Sequence, residues 1–232
     1  MWFSALVLVA AAQAVSGLHL GATYALLHTG DLASDKLGTL DGRPGKLVAS
    51  SGGYAVVNLD DPTDTQPLVW VVGNCTGVCY LSGYKYAACC GGTASVVEVD
   101  EDGVFVGSSA LGMGVCVDVA CDAGVVAVQG PGGVMQVYTA ADGVLQITRT
   151  FDPAPETIAA YNGVLYYGQT GASQVSKCLF ATLTDATEPE ETLDYPFAHL
   201  SVFWPPGSTR NYLCATTTNA RASQASVACY LH

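Results

Sequence analysis

From about residue 36 onward, apolar residues fall in short runs, many of them alternating with polar ones, and Gly, Asp, Asn or Pro turns separate the runs. The clearest stretch carries four such runs, at 114–119, 125–129, 134–138 and 144–148. No long segment after the N-terminal region keeps a 3.6-residue period, so helices are expected to be absent or minor. The pattern also repeats. Ala49-Ser50-Ser51-Gly52-Gly53 leads into AVVNLDDP, and Ala88-Cys89-Cys90-Gly91-Gly92 leads into SVVEVDED. The acidic turns at Asp60-Asp61 and Asp100-Glu101-Asp102 lie forty residues apart, and Asp142-Gly143 follows Asp102-Gly103 by forty more. Five units are visible, at about 36–74, 75–114, 115–154, 155–197 and 198–232. Four short strands per unit at this period predict an all-β fold, a five-bladed β-propeller of four-stranded blades. The last unit stops before a fourth strand, and the segment 22–28 (ATYALLH) has no partner of its own. It is expected to complete the last blade and close the ring, which removes an exposed strand edge. The competing expectations are a fragment of a larger ring and an open stack of repeats.

The run GGYAVVNLDDPTDTQP at 52–67 combines a glycine-led tyrosine strand, a hydrophobic-Val strand, an Asp-Pro turn and a further Pro. SGYKYAACC with SVVEVD repeats it less completely at 82–100. In these features the chain resembles the LVIVD-repeat propeller family. The third to fifth units depart from it by lacking the Asp-Pro turn. The resemblance implies a secreted or surface-associated propeller and brings no catalytic residues with it.

Residues 2–12 (WFSALVLVAAA) are apolar but too few to span a bilayer, and small residues follow at Ala14, Ser16 and Gly17. Residues 1–17 therefore read as a signal peptide, and 18–232 as a single secreted domain. The nine cysteines agree with an oxidising compartment, since none stands with histidine at zinc-ligand spacing. Cys214 and Cys229 are expected on adjacent antiparallel strands, near a cross-strand register. Cys79 and Cys116 are expected to meet across neighbouring inner strands, with Cys116–Cys121 the rival pairing. Cys89 and Cys90 point to opposite faces, and an odd thiol must be left over. Asn74-Cys75-Thr76 is a glycosylation sequon.

Composition narrows the function. Eight Lys and Arg against twenty Asp and Glu give a net charge of −12, with no basic stripe for a phosphate backbone, so nucleic acid is excluded as a partner. No nucleophile elbow, phosphate loop or HExxH motif occurs. Much of the acid falls in the turns that would crowd one face: Asp60, Asp61, Asp64, Asp100, Glu101, Asp102, Asp142, Asp185, Glu188, Glu190 and Glu191. Clustered carboxylates suit Ca²⁺, for which Asp60, Asp61, Asp100 and Asp102 are the candidate ligands, and they equally suit turn chemistry and solubility. The opposite face is glycine-rich and nearly neutral. Two polar residues interrupt the apolar inner strands, Asp118 and His199. They are the candidates for an acid–base pair at the channel mouth, as in lactonase-like propellers, or for structural burial with satisfied partners. The leading expectation is a non-catalytic binding or scaffold module for an extracellular protein or small ligand. A lactonase-type hydrolase is the alternative, and a disc that docks a basic partner on its acidic rim is a third.

Overall fold

Runs of alternating residues joined by tight turns fold the chain into successive antiparallel hairpins. The computed structural model describes residues 19–26, 32–34, 46–50, 54–58, 65–68, 75–83, 85–99, 105–185, 190–194, 196–203, 212–218 and 225–231. Sheet 1 comprises β2 (Leu32–Ser34), β3 (Lys46–Ser50), β4 (Tyr54–Asn58) and β5 (Thr65–Leu68). Sheet 2 comprises β6 (Cys75–Ser82), β7 (Lys85–Cys90), β8 (Thr93–Val99) and β9 (Phe105–Ala110). Sheet 3 comprises β10 (Asp118–Asp122), β11 (Val125–Gln129), β12 (Val134–Thr139) and β13 (Leu145–Thr150). Sheet 4 comprises β14 (Thr157–Tyr161), β15 (Val164–Gly168), β16 (Gln174–Leu179) and the two-residue β17 (Glu191–Thr192). In sheet 5, β18 (His199–Phe203), β19 (Tyr212–Thr218) and β20 (Ala225–Leu231) are joined by β1 (His19–Leu26), which lies antiparallel to β20. The first strands lie beside one another in the order β2, β6, β10, β14, β18, and β18 also contacts β2. The molecule is all-β and β-propeller-like, built from antiparallel four-stranded sheets.

Packing follows from strand alternation. In β11, Val126 and Val128 turn toward sheet 2, while Ala127 turns toward sheet 4. One apolar layer, with Ala87, Val96, Leu111, Val119 and Tyr138, fills the space between sheets 2 and 3. A second, with Met135, Val137, Phe151, Ile158 and Leu165, lies between sheets 3 and 4. A third, with Tyr166, Val175, Phe197, Leu200 and Leu213, lies between sheets 4 and 5. Each large side chain so buried contributes about 1.5–3 kcal/mol, which is why the sheets hold face to face. Strands short enough to be covered on both faces need this two-sided apolar pattern.

The third unit departs from expectation at its first strand. Its first strand is Asp118–Asp122 rather than 114–119. Residues before it are drawn off the strand because Cys116 is tied to Cys89, and its N–H donates to the Gly92 carbonyl at 2.8 Å. Gly114 and Val115 consequently stand exposed. The strand is shifted toward the Ala123-Gly124 turn, where both residues take positive φ of 48° and 79°, as a tight two-residue hairpin turn requires. Among the described residues the one helical element is a single 3₁₀ turn at Pro131–Gly133. No helix among the described residues is long and apolar enough to cross a membrane.

Candidate functional site

Asp118 and His199 each open the first strand of a sheet. Asp118 stands opposite Gln129, the fifth residue of β11, and His199 opposite Thr216, the fifth residue of β19. Two further residues hold the same register position, Gly77 opposite Cys89 in sheet 2 and Thr157 opposite Gly168 in sheet 4. The two polar residues singled out by the sequence are thus at one depth in the molecule, with the Thr157 strand between them.

This position is a fastening point between sheets. Asp118 is 1% exposed, and its Oδ1 accepts the N–H of Val119 at 2.8 Å while Oδ2 accepts the N–H of Ile158 on β14 at 2.9 Å. Thr157 repeats the second contact: its Oγ1 accepts the N–H of Leu200 on β18 at 2.9 Å. A side-chain oxygen at the first position therefore satisfies the second-position N–H of the next sheet. Buried peptide N–H groups left without an acceptor cost about 1–3 kcal/mol each, so the fastening is an energetic necessity. Sheet 2 supplies no such oxygen, because Gly77 occupies the position. A Cβ there would meet Asp118 Oδ1 and approach the Val119 nitrogen to 2.8 Å. Asp118 thus folds one oxygen back onto its own neighbour, into space that only glycine leaves free.

His199 is half-buried, and desolvation holds its imidazole below the ordinary histidine range. Gln129, the register partner of Asp118, is 1% exposed and donates through Nε2 to the Pro155 carbonyl, while Gln169 does the same to Ala154. These two amides hold the 151–156 connection over sheets 3 and 4. At the far end of β10, Asp122 accepts the N–H of Gly163 from the next hairpin turn.

The cysteines depart from the expected pairing. Cys79 on β6 is bonded to Cys121 on β10, and Cys116 is bonded to Cys89 on β7. Neither Cys79–Cys116 nor Cys116–Cys121 forms, because Cys116 lies in the connection ahead of β10 rather than on the strand. Cys121, three residues into β10, is the cysteine that reaches β6. Cys90 is disulfide-bonded apart from Cys89, as the alternation of faces demands, and Cys75 stands opposite it in the register. Cys214 and Cys229 occupy directly opposed register positions on β19 and β20. The free cysteine among the described residues is Cys178, buried in the layer between sheets 3 and 4, where burial pushes its thiol up to about 12. A thiol so shielded stays protonated and unreactive.

Asp60, Asp61, Asp100, Asp102 and Asn74 lie outside the described residues. Thr76, the third residue of the sequon, directs its hydroxyl at Cys89 Sγ at 3.3 Å. The acidic turn residues that are described each have local work. Asp142 accepts the Val144 N–H within its turn, Asp185 pairs with Arg149 at 2.7 Å, and Glu190 accepts the Ser176 hydroxyl at 2.8 Å. Glu191 is not on an open face. It sits on β17 with its carboxylate 2.9 Å from the buried ammonium of Lys177. Among the described residues no group of three or more His, Cys, Asp or Glu is gathered as a metal centre would need.

Sequence reasoning passed over Thr157, Lys177 and Arg149. Thr157 had a signal: it recurs thirty-nine residues after Asp118 and forty-two before His199, within the unit period. Arg149 had none. Its guanidinium lies 4.4 Å from the centre of the Phe151 ring and reaches the Leu183 carbonyl and Asp185 of the following unit.

One comparison with a solved structure supports the fold. The chain is similar to Myxococcus xanthus glutaminyl cyclase at 16% identity and a TM-score of 0.60, over 93% of this chain and 97% of that one. It is also similar to a chain of a nidogen/laminin complex, at 16% identity and a TM-score of 0.49. That match covers 65% of this chain and 59% of the other, so the chain spans less than two thirds of that chain's length. No protein-family model and no curated protein matches the sequence.

Proposed function

We propose that this chain is a secreted propeller of five four-stranded blades, closed by its N-terminal strand, acting as a non-catalytic binding or scaffold module for an extracellular protein or small ligand. The observation that carries the reading is the state of Asp118. Both oxygens of this inner-strand carboxylate accept backbone N–H groups, and Thr157 performs the same task one sheet on. A carboxylate committed to two peptide groups is poorly placed to move a proton to or from a substrate, which weakens the lactonase-type alternative. The disulfides between sheets 2 and 3 fit an extracellular setting, and they stiffen the platform that a binding module presents. The continuous neighbour contacts of β2, β6, β10, β14 and β18 support the five-bladed ring. The LVIVD-like pattern of residues 52–67 belongs to the same reading.

The test uses the mature secreted protein and its Asp118→Asn variant, assayed for hydrolysis of simple lactones and for cyclisation of peptides with N-terminal glutamine. The expected result is a lowered melting temperature in the variant with no turnover in either protein. Robust turnover in the parent, lost in an Asp118→Asn protein that remains folded, would overturn the reading in favour of an enzyme.

A further inference from the structure

The sequon Asn74-Cys75-Thr76, the one triplet of its kind in the chain, runs into β6. Cys75 opens that strand and stands opposite Cys90, the last residue of β7, so the two mark the open end of the β6–β7 hairpin. Cys90 is disulfide-bonded. Cys79, Cys89, Cys116 and Cys121 are paired among themselves and Cys178 is free, which leaves Cys75, Cys214 and Cys229 as partners. Cys214 and Cys229 oppose each other in a different sheet, whereas Cys75 opposes Cys90. Directly opposed residues of an antiparallel pair have Cα atoms about 4.5–5.5 Å apart, a span that a disulfide bridges. Thr76 is the extra residue of the ladder, between the Cys75–Cys90 and Gly77–Cys89 pairs, and its hydroxyl is the one directed at Cys89 Sγ.

We propose that Cys75 bonds to Cys90 and that this bond closes Asn74 to N-glycosylation, so that the glycan is added only to chains in which Cys75 is still a thiol. The inference rests on the secreted reading given above. Transfer joins the Asn74 side-chain nitrogen to the anomeric carbon of a lipid-diphosphate-linked oligosaccharide. The bond from that carbon to the phosphate oxygen breaks, lipid diphosphate leaves with the electron pair, and a base of the transferase takes the amide proton. Closure oxidises two thiols to one disulfide. A disulfide donor of the oxidising compartment takes the two electrons and two protons and is reduced to two thiols. A transferase must surround the sequon as a free segment, whereas the folded chain holds its second and third residues in a ladder. A hairpin end frays open when nothing covalent ties it, and a bond across its last pair prevents that. Timing sets the two reactions against each other. Cys90 follows Asn74 by sixteen residues, which synthesis adds in about 1–3 s, and disulfides form over seconds and longer.

The test expresses the full chain in a eukaryotic secretory host and reads the glycosylated fraction on newly made chains, by the mobility shift that a glycosidase removes. No outcome then depends on the folding of a variant. The parent is expected to be glycosylated in part, and Asn74→Gln to lose the shift. Cys90→Ser leaves the sequon intact and keeps Cys75 a thiol, and is expected to raise the glycosylated fraction about twofold or more. Cys121→Ser breaks the Cys79–Cys121 bond instead and is expected to match the parent. A parent glycosylated fully or not at all, no rise in Cys90→Ser, or an equal rise in Cys121→Ser overturns the proposal. Partial reduction and mass spectrometry of the secreted parent should find Cys75 linked to Cys90, and a link from Cys90 to any other cysteine overturns it too. Chains found with every cysteine reduced, Cys79–Cys121 and Cys89–Cys116 included, would instead overturn the secreted reading.

Discussion

Between sheets 2 and 3, two disulfides tie β6 and β7 to the start of the next sheet, and the first position is a bare glycine. Between sheets 3 and 4 no covalent link occurs among the described residues. Asp118, Asp122, Gln129 and Arg149 reach across instead, over an apolar layer that contains the unpaired Cys178. The two seams face the same demand, since each must hold adjoining strands and satisfy the peptide groups at their ends. The first seam meets it by covalent ties plus a carboxylate folded back on its own strand. The second meets it by hydrogen bonds thrown forward. Asp118 stands at both, with Oδ1 turned back to Val119 in the space beside Gly77 and Oδ2 reaching Ile158. Through the Ile158 N–H it fastens sheet 3 to sheet 4.

Breaking the covalent seam should have the largest effect. Cys89 and Cys116 close a loop of separation 27, and Cys79 and Cys121 one of separation 42. Chain-entropy arguments give about 3.5–4 kcal/mol for loops of this size. Replacing Cys89 and Cys116 together by alanine is expected to lower stability by about 3 kcal/mol in urea unfolding, the surviving Cys79–Cys121 bond moderating the loss because the loops are nested. A change under about 1 kcal/mol would show that the apolar layer alone holds this seam.

Asp118→Ala comes next, with an expected loss of about 2–3 kcal/mol, because the Val119 and Ile158 N–H groups both lose their acceptor. Asp118→Asn, which keeps one carbonyl oxygen, should lose less. Gly77→Ala is expected to destabilise as well, since its Cβ would enter the space held by Asp118 Oδ1. The penalty should shrink in the Asp118→Ala background, and a double-mutant cycle measures the coupling. Additive penalties would refute the shared space as the reason for glycine.

The smallest effect is expected at Arg149. Arg149→Lys gives up the guanidinium's place over the Phe151 ring and the forked reach to Leu183 and Asp185, and should lower stability by about 1 kcal/mol. Asp185→Asn should change it by no more than about 0.5 kcal/mol, because Asp185 is largely exposed and solvent screens the pair. An aspartate variant as costly as the arginine one would mean that charge, and not stacking, holds the outer part of this seam.

Much of the architecture was legible along the chain because its rules are local. A run of consecutive apolar residues marks a strand covered on both faces, and a turn needs residues that accept its dihedral angles. The strands at 125–129 and 134–139 coincide with the runs read from the pattern for that reason. The strand at 118–122 did not, because a bond from Cys116 to a residue in the previous sheet overrides local preference. The same holds for the candidate site. Asp118 and His199 stood out as polar interruptions of apolar strands, yet the sequence offered no way to tell that the Asp118 carboxylate receives two backbone N–H groups.

The amino-acid order by itself determined the β character, the period near forty residues, the acidic and cysteine-rich chemistry and the presence of a polar residue at each of these two positions. Tertiary structure alone decided which cysteines meet, that Gly77, Asp118, Thr157 and His199 share one register position, and which peptide groups the side chains receive. The physical reason is range. Propensity and alternation act within a few residues, whereas a disulfide or a buried hydrogen bond depends on the approach of strands about forty residues apart, which is set by the packing of whole sheets.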